Sequence, residues 1–297
     1  MPPAVRQDGP VTATSNQHPE PLDQTLVDQL GALAEHLARS AGSLVRDGRP
    51  RRVDVAATKS SAVDVVTAMD LASEELLRRT IAERRPDDAI LGEEGGHVAG
   101  RSGVTWVIDP VDGTVNYLYG LPSYAVSVAA VVGEPTPQSW TVVAGCVHQV
   151  SDGRTWTATL GGGAFEDGER LRVNDPVPLA ESLLATGFGY TVERRRAQAR
   201  VIAQVLPRVR DIRRLGSAAI DMCHLAGGSL DLYFERGLQP WDLAAASLIA
   251  REAGAEVLGL RGWRAGEAMT VAGPAPTVHE LVALLQDLDA DSDQPNG

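Results

Sequence analysis

Long apolar runs are missing from this 297-residue chain: none approaches the ~20 residues that a membrane-spanning helix needs. The first residues, Met1–Gln17, lack both a basic n-region and an apolar h-region, so no secretory signal is expected there. Cysteine is scarce. Cys146 and Cys223, both in apolar surroundings, allow at most one disulfide and read better as two buried free thiols in a cytoplasmic protein. Positive charge is also in deficit. A net charge of −12 argues against general affinity for nucleic acid or an anionic membrane, so neither is expected as a partner. An anionic substrate would then need bound cations to reverse the local field. No internal repeat and no obvious linker divides the chain.

What is present is an ordinary globular composition, 43% hydrophobic and 22% charged, in a chain long enough to bury a substantial core. Residues 1–20 and 287–297 are polar and rich in Pro or Asp, and read as a disordered extension and a disordered acidic tail. Between them, 21–286 reads as one catalytic unit with halves of roughly 21–165 and 166–286. Helical spacing of apolar residues predicts helices over 21–46 and 67–84. Strands are predicted at 89–91, 104–109, 123–132 and 140–149, with β-rich chain continuing to about Phe165. Later, strands near 182–186, 209–213, 230–235 and 256–258 alternate with helices near 192–206, 217–226 and 241–253. Such interleaving indicates an α/β or layered α+β fold.

The most informative stretch is Trp106-Val-Ile-Asp-Pro-Val-Asp-Gly-Thr114. It reads as a buried strand ending on Asp109, with Asp112 three residues on and a Gly113–Thr114 step able to open a helix. Pro110 biases Asp109 toward an extended conformation, so both carboxylates and the Val111 carbonyl can converge. Hard cations such as Mg²⁺ favour that all-oxygen cluster, and the amides of Gly113 and Thr114 would suit a phosphate. Three further segments carry candidate groups: Gly92-Glu-Glu-Gly-Gly96, Trp241–Asp242 after Pro240, and Lys59-Ser-Ser leading through Asp64 to Asp70. Taken singly, each has a plain structural alternative. Asp242 reads as a helix cap, Glu93 and Glu94 as a solvated turn, Asp70 as a surface helix residue and Lys59 as a loop lysine. Asp109 is harder to dismiss, because its apolar neighbours imply depth and an unpaired buried carboxylate is costly.

Taken together, G-E-E-G-G, W-V-I-D-P-V-D-G-T-V-N-Y and P-W-D-L-A-A-A resemble the inositol monophosphatase family. The resemblance runs from about residue 24 to 285 and is strongest to bacterial members, which also carry R-R-x-G-S-A-A as at Arg213–Ala219. It implies a five-layer α-β-α-β-α sandwich, commonly a homodimer, as in the fructose-1,6-bisphosphatase superfamily. It also implies two to three Mg²⁺ ions. Glu93, Asp109 and the carbonyl of Val111 would hold a first. Asp109, Asp112 and Asp242 would hold a second, and a weaker third would sit near Glu93. By the same resemblance Thr114 orients the attacking water with Glu93, and Asp70 accepts a hydrogen bond from Thr114. Asp112, Gly113, Thr114, Arg213, Gly216, Ser217, Ala218, Glu235 and Asp242 would contact substrate, with Lys59 as an electrostatic support. None of the six histidines lies in these motifs, which fits a nucleophile made by a cation-activated water.

The activity implied is Mg²⁺-dependent, lithium-sensitive hydrolysis of a small phosphorylated polyol, inositol 1-phosphate foremost. The motifs see the phosphate rather than the alcohol, so histidinol phosphate and other sugar phosphates or bisphosphates stay open. So does a regulatory binding protein that keeps the fold.

Overall fold

A computed structural model describes residues 23–59 and 65–293. Ser60, Ser61 and Asp64 lie outside the described residues, as does the extension over 1–20. Seven helices are described: α1 (Gln24–Asp47), α2 (Ala68–Arg84), α3 (Thr114–Tyr119), α4 (Val192–Val205), α5 (Ala218–Ala226), α6 (Pro240–Glu252) and α7 (Thr277–Asp287). In α1, Val27, Leu30, Ala34, Leu37, Ala38, Ala41 and Val45 recur every three or four residues and are all buried. The Asp23 side chain starts that helix by accepting the amide of Thr25 at 3.0 Å.

An eight-stranded sheet runs in the order Glu169–Arg170, Gly163–Glu166, Thr155–Thr159, Thr141–Gln149, Ala125–Val132, Val104–Asp112, Ala89–Gly92, Gly96–Val98. A five-stranded sheet runs Asp211–Arg213, Leu183–Thr186, Leu232–Glu235, Thr270–Gly273, Glu256–Leu258. The pair α1/α2 covers the outer face of the larger sheet, and α5/α6 lies between the two sheets. On the outer face of the smaller sheet, Val201 and Val205 of α4 and Leu281 and Leu285 of α7 join Leu184, Leu232 and Val271 in one apolar cluster. The layers therefore run α-β-α-β-α.

The middle layer explains the unusual composition of its helices. Every residue of α6 from Leu243 to Ala250 is buried, as are eight of the nine in α5. A helix apolar all round needs cover on every side, and two sheets provide it. Alanine dominates because the gap is narrow. Where α6 crosses the strand Thr141–Gln149, a Cβ on Gly145 would lie 2.9 Å from the Cα of Ala245. One cluster of buried side chains runs from Val107 and Val147 through α5 and α6 to Ala185 and Tyr233, so the two halves share a core.

Most predicted elements occur within a residue or two of the expected bounds. Three findings differ. The strand from Val104 does not stop at Asp109 but continues to Asp112, with a register shift against its neighbour between those two residues. Pro110 cannot donate to a ladder, and a bulge is where a strand tolerates that. The short hairpin Val55–Thr58/Val65–Thr67 and the strands Gly96–Val98 and Thr270–Gly273 are too short to show a periodicity, whereas α7 goes unread although Val278, Leu281, Leu284 and Leu285 recur at helical spacing. Residues after 287 are also not free chain as far as Asp293: Asp289 and Asp291 pair with Arg261, and Asp293 with Arg194 and Arg236.

Gly145→Val would force the α6 backbone away from the sheet. Overpacking of this kind costs roughly 1–3 kcal/mol, or several degrees in Tm for a chain of this size. A thermal melt indistinguishable from wild type would contradict the close approach.

Candidate active site

The larger sheet contains one parallel pair, Ala89–Gly92 beside Val104–Asp112, and the site grows from its carboxyl end. Gly92 is in register with Ile108, so the next residues of the two strands, Glu93 and Asp109, emerge side by side. The bulge then turns Val111 and Asp112 toward the same place. From the middle layer, α6 brings Asp242 in its first turn. One oxygen each from Asp109, Asp112 and Asp242 lies within 4.8 Å of the others.

Each acid has a second attachment that fixes it. Asp109 Oδ1 accepts the amide of Val111 at 3.0 Å. Asp112 Oδ2 accepts from Ser217 Oγ at 2.6 Å and the Ala219 amide at 2.8 Å, capping α5 from another strand. Asp242 Oδ2 accepts the amide of Gln239 at 2.7 Å, closing the start of α6. Asp70, fully buried, accepts the Thr67 amide at 2.9 Å through Oδ2 and caps α2. Its Oδ1 accepts from Thr114 Oγ1 at 3.0 Å. For Asp242, therefore, the cap and the place in the cluster are not alternatives, and in Asp70 one oxygen caps while the other holds Thr114.

The loop of Glu93 is held from behind. Buried Glu74 accepts the amide of Glu94 at 2.8 Å and that of Gly95 at 2.6 Å, and pairs with Arg78 at 2.7 Å. Lys59, the only lysine in the chain, sits 2.6 Å from both Glu93 and Glu94.

These groups line a cleft of about 460 Å³. Glu93, Asp109, Val111, Asp112, Gly113, Thr114, Gly216, Ser217, Ala218, Glu235, Asp242 and Lys59 all reach it. Asp70 stands one layer back, behind Thr114. Arg213 does not line the cleft: it bonds Asp211 at 2.6 Å on the surface, and its neighbour Arg214 lines the wall instead. The strand Asp211–Arg213 ends at Arg213, and Arg214 is the first residue of the segment that leads from it to α5 along the cleft. Asp221 and Arg194 also line the cleft and were not read from the sequence. Asp221 follows Ser217 by four positions, the spacing that puts two residues on one helix face.

The electrostatics are those of acids short of positive charge. Burial, then repulsion from Glu93, Asp112 and Asp242, holds Asp109 well above the usual carboxylate range. Burial and repulsion from Asp112 and Glu93 do the same to Asp242. Glu93 is pushed up to about 7 by burial although Lys59 opposes the shift. At the other end of the cleft, burial raises Glu235 to about 7 against the pull of the Tyr233 hydroxyl, which donates to it at 2.8 Å. A hard, all-oxygen donor set of this kind, with like charges crowded in a buried place, fits divalent cations of the Mg²⁺ type.

With the geometry in place, comparison with known proteins is direct. The chain matches the sequence profile of the Inositol monophosphatase family over residues 26–289. It belongs to that family, a family of phosphoric monoester hydrolases. A Mycobacterium leprae relative named inositol-1-monophosphatase is 46% identical over 282 residues, 87% of this chain and 94% of its own. The solved structure titled Mycobacterium tuberculosis SuhB superposes with a TM-score of 0.74 at 43% identity, covering 89% of this chain and 98% of that one. A Pasteurella multocida relative, 40% identical over 77% of this chain and 85% of its own, bears the name Nus factor SuhB.

The raised acids set a pH dependence of stability. Glu93 and Glu235 shift from 4.5 to about 7, so between those values the folded chain holds more protons than the unfolded one. Stability of the cation-free protein must then fall as pH rises through that window. The expected melting temperature is lower at about pH 8 than at about pH 5, and a divalent cation restores more at the higher pH. A cation-free melting temperature that rises over the same interval would contradict this charge distribution.

Proposed function

We propose that this protein hydrolyses a small phosphorylated polyol, inositol 1-phosphate foremost, with Mg²⁺ as its cofactor. The observation that carries the reading is the convergence of three carboxylates next to the Thr114–Asp70 pair, in a cleft whose far end carries Glu235. Glu93, Asp109 and the Val111 carbonyl would hold one ion, and Asp109, Asp112 and Asp242 a second, with a weaker third site near Glu93. When bound, these cations would supply charge neutralisation for the phosphoryl group and a lowered pKa for a water.

The chain's own residues do the rest. Thr114 Oγ1 lies 3.0 Å from both Asp70 Oδ1 and the Val111 carbonyl. Its single proton is thereby committed to an acceptor behind it, which leaves its lone pair to accept a hydrogen bond from the attacking water and so orient it. Glu93 then takes up that water's other proton from its position beside Asp109. The amides of Gly113 and Thr114 face the phosphate oxygens. Gly113 adopts φ of 93°, and a Cβ there would meet the Ser123 carbonyl at 2.7 Å, so this turn requires glycine. Gly216, Ser217, Ala218 and Glu235 face the alcohol, where a polyol needs both donors and acceptors.

The same reading carries inhibition by Li⁺, competing at the Asp242 side, and a homodimer. A reducing, cytoplasmic setting is supported by the two buried free thiols, Cys146 and Cys223. Histidinol phosphate and other sugar phosphates are competing substrates that the phosphate end does not separate.

A second reading is favoured by the relative that bears the name of a Nus factor: the fold acting through a partner, independently of catalysis. Rescue of every defect of a deletion strain by Asp109→Asn would favour that reading. For the enzymatic reading, purified protein with Mg²⁺ should release phosphate from inositol 1-phosphate. Asp109→Asn should lower kcat by at least ~10²-fold, as removal of a charge-organising group does. Absence of turnover across inositol phosphates, histidinol phosphate and bisphosphates would overturn it.

A further inference from the structure

Asp221 is the one buried acid in the cleft with no assigned task. It sits in the first turn of α5, 1% exposed, and its Oδ1 has no hydrogen-bond partner in the protein. It is not a cap: the Ala219 amide is taken by Asp112 and the Ile220 amide by Ser217 Oγ. No ion pair among the described residues includes it. Yet it lines the cleft, as do Glu235, Arg214 and Ser217, and is close enough to Glu235 and Arg214 to feel their charges. A carboxyl group buried without a partner is costly, and folding tolerates it where a ligand completes its hydrogen bonding.

Its neighbourhood says what kind of ligand. Glu235 has one oxygen committed to the Tyr233 hydroxyl at 2.8 Å, which leaves Oε1 as an acceptor. Gly187 makes room for it, since a Cβ there would lie 2.1 Å from both Glu235 oxygens. Burial and the adjacent Glu235 push Asp221 up to about 9, so near neutral pH it carries a proton and can donate. A donor acid beside an acceptor carboxylate matches neighbouring hydroxyls, each of which gives one hydrogen bond and takes another. It does not match an apolar ring, which would leave both groups desolvated and unpaired.

We propose that Asp221 is a specificity-determining residue that, together with Glu235, hydrogen-bonds adjacent hydroxyls on the alcohol portion of the substrate. The proposal rests on the reading of this cleft as a phosphomonoesterase site. It makes the alcohol pocket a selector for polyols over aryl or alkyl phosphates.

The test compares kcat/KM for inositol 1-phosphate with that for p-nitrophenyl phosphate, both with Mg²⁺, in the wild type, Asp221→Leu and Asp221→Asn. Leucine keeps the branched shape and removes the hydrogen bonding, whereas asparagine keeps a donor and an acceptor. The expected result is a polyol-to-aryl ratio that drops about tenfold in Asp221→Leu, carried mainly by KM for the polyol, and is largely retained in Asp221→Asn. Because Oδ1 is unpaired in the protein, Asp221→Leu should not lower the melting temperature. An unchanged ratio in Asp221→Leu, or losses in proportion on both substrates, would overturn the proposal while leaving the phosphatase reading intact. If Asp221→Leu does not fold, Oδ1 has a structural role and the proposal fails. Turnover of neither substrate by the wild type would overturn the phosphatase reading, and this proposal with it.

Discussion

Helix-start amides holding like charges together are the interaction on which this structure depends. Asp112 and Asp242 each give one oxygen to the start of a helix and meet Asp109 around a common point, while Asp70 caps α2 and holds Thr114 from behind. The magnitudes show why a further partner is needed. At an effective dielectric of about 20, two ionised carboxylates near 5 Å repel by roughly 3 kcal/mol. A helix terminus offsets about 0.3–1 kcal/mol, and up to ~2 in buried geometry. Three acids within 4.8 Å therefore cannot all ionise on helix dipoles alone. Protons or cations must supply the balance.

The fold exists around that arrangement in a specific sense. A single parallel strand pair delivers Glu93 and Asp109 together, and a proline bulge adds Val111 and Asp112. The central layer then supplies α5 and α6, whose alanine-rich surfaces let them lie between two sheets. Close approach at Gly145 and Ala245 fixes the depth of α6, and with it the position of Asp242. Glu74 does the equivalent for the Glu93 loop. Packing far from the chemistry thus sets distances within it. Glu235 and Asp221 come from the smaller sheet and α5, so they line the cleft from different layers than the one that supplies Glu93 and Asp109.

Much of this was legible in the sequence because the local signals were strong. The apolar run into Asp109, the Pro-Val-Asp-Gly-Thr turn and the Pro-Trp-Asp helix start each encode backbone geometry as well as chemistry. The alternation of elements gave the layered fold, and the amphipathic spacing gave α1. What could not be read depends on contacts distant in sequence. Arg213 ends a short strand and Arg214 follows it, and the path of the chain out of the sheet decides which of the two lines the cleft. Asp221 looks like an ordinary helical acid until the cleft is assembled. Strand Thr270–Gly273 owes its form to the smaller sheet it joins, whereas α7 carried a local signal in the spacing of Val278, Leu281 and Leu285 that went unread. The acidic residues after 287 suggested free chain, but Arg194, Arg236 and Arg261, distant in sequence, pair with three of them.

The central claim is that protons hold the acid cluster together until divalent cations replace them. Calorimetric titration of the cation-free protein with Mg²⁺ near neutral pH, in two buffers of different ionisation enthalpy, counts the protons exchanged on binding. Release of about one proton or more per site, abolished in Asp109→Asn, is the predicted result. Binding with no net proton release, or no saturable binding at millimolar Mg²⁺, would contradict the account.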